Sequence, residues 1–123
     1  MNVLIIEDSE PMRRTIKSSI EDLAREVWEC PDGADAVARY AEHRPDWVLM
    51  DIKMHSVDGL AATRQIKAAF PEARIVMVTS FDDQNLRDEA QLAGACGYVL
   101  KENLADLAKI MAGSDRPENS IER

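Results

Sequence analysis

A doubly wound α/β fold, with a five-stranded parallel sheet covered by helices on both faces, is what this 123-residue sequence predicts. Three observations carry that expectation. Short apolar runs recur along the chain. Stretches of helical periodicity separate them. Proline and glycine stand where those helices should stop.

The elements follow in chain order. "VLII" (3–6) is apolar at every position, as a strand buried on both faces requires. Met12, Ile16, Ile20 and Leu23 follow at intervals of 4, 4 and 3, which puts them on one face of a first helix. "EVWEC" (26–30) alternates polar and apolar residues and reads as an edge strand. Ala34, Val37, Ala38 and Ala41 form the stripe of a second helix. "WVLM" (47–50) is a third strand, expected to be buried on both faces. Leu60, Ala61, Ile66 and Phe70 mark a third helix, which Pro71 ends because its ring and missing N–H cannot continue the ladder. "IVMV" (75–78) is the fourth strand. Leu86, Ala90 and Ala93 give a fourth helix closed by Gly94. "YVL" (98–100) is the fifth strand, again expected to be buried on both faces. Leu104, Leu107, Ile110 and Met111 give the fifth helix, closed by Gly113. Crossovers of this kind are right-handed. One domain fills residues 1–113, and "SDRPENSIER" (114–123) reads as a polar C-terminal tail or linker stump.

Composition is that of a globular domain, 46% hydrophobic and 31% charged. The net charge of -8 argues against direct nucleic-acid binding, which needs clustered Lys and Arg. It suits a basic partner or a site that gathers carboxylates around a cation, and solubility alone also explains it. Cys30 and Cys96 form no CxxC pair and are expected to be reduced thiols packed as small hydrophobes, which fits the cytoplasm. No secretory signal is expected, and no apolar run approaches the roughly 20 residues of a membrane helix.

In an open parallel sheet all strands deliver their C-terminal ends to one edge, where ligands bind. Strand 1 ends in Glu7 and Asp8, strand 3 in Asp51, strand 4 in Thr79 and Ser80, and strand 5 in Lys101. Each alone has an ordinary explanation as turn, helix cap or strand exit. Together they place three carboxylates, a hydroxyl and an ammonium at one edge. Clustered carboxylates repel unless a cation intervenes, and an all-oxygen set favours a hard ion such as Mg²⁺. A carboxylate beside such a metal, with a Lys and a hydroxyl, describes phosphoryl transfer to Asp51.

These residues stand in motifs. "IIED" (5–8), "VLMDIKM" (48–54) with "DG" at 58–59, "VMVTS" (76–80) and "GACGYVLKE" (94–102) together resemble a response-regulator receiver domain, over nearly the whole chain to about Gly113. The resemblance implies a flavodoxin-like strand order 2-1-3-4-5. It implies Asp51 as phosphoacceptor, Asp8 as a direct Mg²⁺ ligand, Glu7 as a ligand through water, and the Lys53 carbonyl as a further ligand. Thr79 and Lys101 would hold the phosphoryl group, and Thr79 and Tyr98 would be the switch pair. "DGLAATRQIK" and "GYVLKE" are closest to receivers that precede helix-turn-helix output domains, although no such domain is present in these residues. Two positions depart from the common pattern. His55 follows Met54 where Pro is frequent, and Glu102 follows Lys101 where Pro is frequent. His55 reads as a surface loop residue without a role.

The expected function is therefore a phospho-accepting switch that catalyses its own phosphorylation and dephosphorylation. Its donor would be a histidine kinase or histidine phosphotransfer protein. An output partner, or a phosphorylation-dependent second copy, would meet the fourth helix, fifth strand and fifth helix. Two alternatives stand beside it: a Mg²⁺-dependent phosphatase with an Asp nucleophile, and a receiver-like module that binds partners without phosphorylation. In such phosphatases a second Asp often lies two residues after the first, a position held here by Lys53.

Overall fold

The structure, a computed structural model, describes residues 1–54 and 56–113. The expectations for His55 and for residues 114–123 lie outside the described residues. The order is β1 (Asn2–Ile6), α1 (Glu10–Ile20), β2 (Glu26–Cys30), α2 (Ala36–His43), β3 (Trp47–Met50), α3 (Gly59–Ala69), β4 (Ile75–Thr79), α4 (Gln84–Ala93), β5 (Gly97–Leu100) and α5 (Ala105–Gly113). Single 3-10 turns at Gly33–Asp35 and Lys101–Asn103 precede α2 and α5. All five strands run parallel in the order β2-β1-β3-β4-β5.

The strand pleat divides the core in two. Leu4, Ile6, Val48, Met50, Ile75 and Met77 face α2, α3 and α4, where they meet Tyr40, Leu60, Ile66 and Ala90. Their neighbours Val3, Ile5, Trp47, Leu49, Val76 and Val78 face α1 and α5, where they meet Ile16, Ile20, Leu107 and Met111. Side chains alternate across a strand, so the continuous apolar runs are what a sheet covered on both faces needs.

Several local expectations need correction. The α2 stripe is rotated: Ala34, Ala38 and Ala41 are exposed, while Ala36 and Tyr40 are buried. Alanine is a helix former that costs little in water, so the large ring of Tyr40 decides which face turns inward. The fifth strand is not buried on both faces. β5 is the second edge of the sheet, with only Val99 fully covered. Of the two free thiols, Cys30 is buried as expected but Cys96 is exposed, because it sits in the turn entering β5. Gly113 is still helical, and the residues after it are outside the described set. Leu23 lies beyond the end of α1, in a turn closed by its amide on the Ile20 carbonyl at 2.9 Å, yet still packs on the α1–α5 core.

Helix starts follow their caps. Ser9, Asp58 and Asp83 each accept a bond from an amide in the first turn of α1, α3 and α4. α4 ends at Gly94 in the left-handed region, φ 111°. Gly59, the first residue of α3, is needed for closeness. A Cβ there would collide with the Asp51 carbonyl and stand 3.0 Å from the Ile52 Cα, and the Gly59 amide donates to the Ile52 carbonyl at 2.7 Å. Gly59→Ala should therefore destabilise the domain by about 1–3 kcal/mol, the usual cost of overpacking. Urea midpoints measure this, and an unchanged midpoint would show that the α3 junction has slack.

Candidate functional site

The chain leaves β1 toward β2 on one side, while β3 lies on the other, so the C-terminal ends of β1 and β3 flank the topological switch point of the sheet. Glu7 continues β1, with its amide on the Cys30 carbonyl at 3.0 Å. Asp51 continues β3, with its amide on the Ile6 carbonyl at 2.9 Å. The ladder thus sets the two carboxylates side by side. Glu7 is 1% exposed and Asp51 5%.

Lys101 reaches across from the end of β5. Its Nζ lies 3.0 Å from Glu7 Oε1 and 3.3 Å from Asp51 Oδ1. Burial pushes the Glu7 carboxyl above its ordinary pKa; contact with Lys101 opposes the shift without cancelling it, and the charge of Asp51 adds to it. Burial likewise raises Asp51, against the pull of the Lys101 charge. For Lys101 burial works downward, but Glu7 and Asp51 outweigh it and carry the ammonium above its usual value. The lysine is thus firmly protonated, and the two carboxylates are held together at a cost.

Asp8, half-buried, completes the cluster. One oxygen from each of Glu7, Asp8 and Asp51 lies within 4.8 Å of the others. Glu7 Oε2 accepts the Ser9 amide at 3.1 Å, but Oε1 is buried without a well-aligned hydrogen bond and meets only the ion-pair contact of Lys101. A buried anionic oxygen with spare acceptor capacity, beside two further carboxylates, fits a hard divalent cation.

The remaining candidates lie on β4, β5 and the loop after β3. Thr79, fully buried, ends β4 next to β3, and its hydroxyl accepts the Phe81 amide at 3.2 Å. Tyr98 lies on β5 against the α4 side of the core, and its hydroxyl donates to the Phe81 carbonyl at 2.6 Å. Arg87 covers its ring, 4.5 Å from the centroid. Phe81 is thus tied to both members of the pair: its amide donates to Thr79 and its carbonyl accepts from Tyr98. Lys53 is exposed in the loop after β3, with its ammonium 5.7 Å from the Phe81 ring centroid. Lys101 is the first residue of a 3-10 turn that begins directly after β5. Arg13 belongs to the surroundings of the site, although no motif marks it: Nη1 donates to the Glu7 carbonyl at 2.8 Å. Its only sequence signal is spacing, three and seven residues before the buried Ile16 and Ile20.

A carboxylate whose pKa is raised on folding binds its proton more tightly in the folded chain. Its folded state is therefore favoured at low pH, and stability declines as pH rises from the ordinary values of 3.8 for Asp51 and 4.5 for Glu7 to the raised folded ones. Metal-free Asp51→Asn should then be more stable than the parent at pH 7, because its side chain carries no charge to bury. That advantage should shrink as the pH falls through the same window. Urea unfolding at several pH values reads both. A less stable Asn variant at pH 7 would mean that pairing with Lys101 outweighs burial.

Comparisons with known proteins identify the family and the fold. The family model for the response regulator receiver domain matches residues 3–112. The chemotaxis protein CheY of Bacillus subtilis is 39% identical over 105 residues, covering 85% of this chain and 88% of that protein. The response regulator protein VraR of Staphylococcus aureus is 35% identical over 125 residues, and the match covers 99% of this chain but 60% of VraR. Among solved structures, a LuxR-family two-component response regulator from Aurantimonas superposes with a TM-score of 0.85 at 28% identity, over 92% of this chain and 83% of that one. A chain of the CheX-CheY-BeF3-Mg+2 complex from Borrelia burgdorferi superposes with a TM-score of 0.83 over 93% of this chain and 88% of that one. At 23% identity this last likeness bears on the fold alone.

Proposed function

The chain belongs to the response regulator receiver family, and on that premise we propose that Asp51 accepts a phosphoryl group from the phosphohistidine of a partner protein in a Mg²⁺-dependent transfer. Receivers of the CheY type are two-component signal-transduction modules. The observation that carries the proposal is the clustering of Glu7, Asp8 and Asp51, with the Lys101 ammonium against Glu7 and Asp51.

Each residue has a task in this reading. Asp8 and Asp51 would hold the metal directly, Glu7 would hold it through water, and the Lys53 carbonyl would add a ligand. Bound Mg²⁺ supplies positive charge against the phosphoryl oxygens. An Asp51 carboxylate oxygen attacks phosphorus, a P–O bond forms, the donor's P–N bond breaks, and the imidazole leaves. Lys101, held protonated by its neighbours, pairs with a phosphoryl oxygen, and Thr79 donates its hydroxyl to another. Hydrolysis of the acyl phosphate by water returns the Asp51 carboxylate and releases inorganic phosphate.

The output follows from the hydroxyl contacts on Phe81. A hydroxyl can accept and donate at once, so Thr79 Oγ1 keeps the Phe81 amide while moving toward a phosphoryl group only if the segment between β4 and α4 follows it. Tyr98 is tied to the same residue through its carbonyl. The adjustment therefore reaches the face of α4, β5 and α5, where an output partner or a second copy binds. Absence of a membrane-crossing helix among the described residues agrees with a cytoplasmic setting.

Incubation with acetyl phosphate and Mg²⁺ should raise the intact mass by one phosphoryl group, and Asp51→Asn should abolish the gain. A phosphorylated Asn variant would refute the assignment. Steady multiple turnover of p-nitrophenyl phosphate would favour the phosphatase, and an unreactive parent the phosphorylation-independent module. Beryllofluoride with Mg²⁺ should shift amide resonances in α4 and β5 as well as around Asp51. Lys101→Ala should remain phosphorylatable but lose most of the distant shifts.

A further inference from the structure

We propose that Arg13 is a positioning residue for the acidic pair: its guanidinium fixes the peptide plane between Glu7 and Asp8 and thereby sets the Mg²⁺ affinity of the site. The inference rests on the reading that these carboxylates hold Mg²⁺.

Glu7 is hydrogen-bonded at every polar atom but Oε1, which has an ion-pair contact instead. Its amide is in the sheet ladder, Oε2 takes the Ser9 amide, and Oε1 faces Lys101. Its carbonyl takes Arg13 Nη1 at 2.8 Å. That carbonyl belongs to the peptide unit joining Glu7 to Asp8, and a peptide unit is planar. Holding the oxygen therefore fixes the direction in which the chain enters Asp8, and with it the spacing of the two carboxylates.

Arg13 is itself held. Its Nε lies 2.8 Å from Glu29 Oε1 on β2, and its side chain is only 14% exposed. Lys17 stands 3.8 Å from the other oxygen of Glu29, and Arg39 Nη1 donates to the Glu29 carbonyl at 3.4 Å. One guanidinium thus spans two strands, with Nε on a carboxylate and Nη1 on a main-chain oxygen. The planar fork of Arg can do this; the single ammonium of Lys lacks the same geometry. Partners that orient metal ligands in this way typically matter about 10–100-fold in metal affinity.

The sign of the effect separates positioning from plain electrostatics. Arg13 is a cation beside a cation site. If only its charge mattered, removing it would tighten Mg²⁺ binding. Positioning requires the opposite.

The test uses the full chain and titrates Mg²⁺ calorimetrically. Arg13→Met and Arg13→Lys should each weaken Mg²⁺ by about tenfold. Glu29→Gln should weaken it less, and the Arg13→Met/Glu29→Gln pair should be non-additive. Arg14→Met, one residue on and largely exposed, should bind as the parent does. Tighter or unchanged binding in Arg13→Met, or full recovery in Arg13→Lys, would overturn the proposal. A second readout needs no metal. Hydrogen exchange at the Ser9 amide should accelerate at least about tenfold in Arg13→Met while β3 and β4 amides keep the parent's rates. Unchanged exchange at Ser9 would overturn the positioning role even if Mg²⁺ binding fell. A parent protein that binds no Mg²⁺ would refute the metal reading, and the Ser9 rates would then decide the role of Arg13. If Arg13→Met does not fold, Arg13→Lys and Glu29→Gln carry both readouts.

Discussion

Two buried carboxylates are forced together because the sheet puts them there. Glu7 and Asp51 each extend a strand whose ladder fixes the main chain, and β1 and β3 are neighbours at the switch point. Neither residue's main chain can move away without unpicking a ladder bond. The Lys101 ammonium answers part of this repulsion by standing between them. The rest of the site is arranged around that conflict. Asp8 adds a third carboxylate, Glu7 Oε1 keeps acceptor capacity, and both raised carboxyl groups favour any cation that approaches. Charges that weaken a fold are often where its chemistry resides.

The same sheet explains what could be read from residues alone. β1, β3 and β4 are visible as unbroken apolar runs because both of their faces are covered, and their terminal residues are visible because each run stops abruptly at a polar group. Strand order and the acidic cluster were therefore accessible, with the order resting on family resemblance. β5 was misread as buried on both faces because an edge position depends on what is absent beside it, which a three-residue run cannot reveal. The α2 face was misread because alanines mark a helix without marking its inward side, and Tyr40 was not weighed against them. Cys96 was misread because hydrophobic preference is weaker than position in a turn.

Two other features left almost no trace in sequence. Gly59 looks like a turn residue, yet it is needed because its Cα must pass the Asp51 carbonyl. Arg13 donates to a main-chain oxygen, and a backbone acceptor has no residue identity to recognise. Contacts of side chain to backbone across elements are the layer that periodicity cannot reach. They are also the layer that determines whether a set of correctly chosen residues sits at the correct spacing.

The tight seat of Gly59 has a mechanical consequence. On the β1–β3 side of the cluster, α3 bears directly on the Asp51 carbonyl with no side chain between. On the β4 side, residues 80–83 are exposed and are fastened through the hydroxyls of Thr79 and Tyr98. One flank is a rigid abutment and the other a compliant arm. A load applied at Asp51 is therefore not shared evenly: the stiff flank returns it and the soft flank yields. The two flanks of the cluster are thus built to resist displacement unequally.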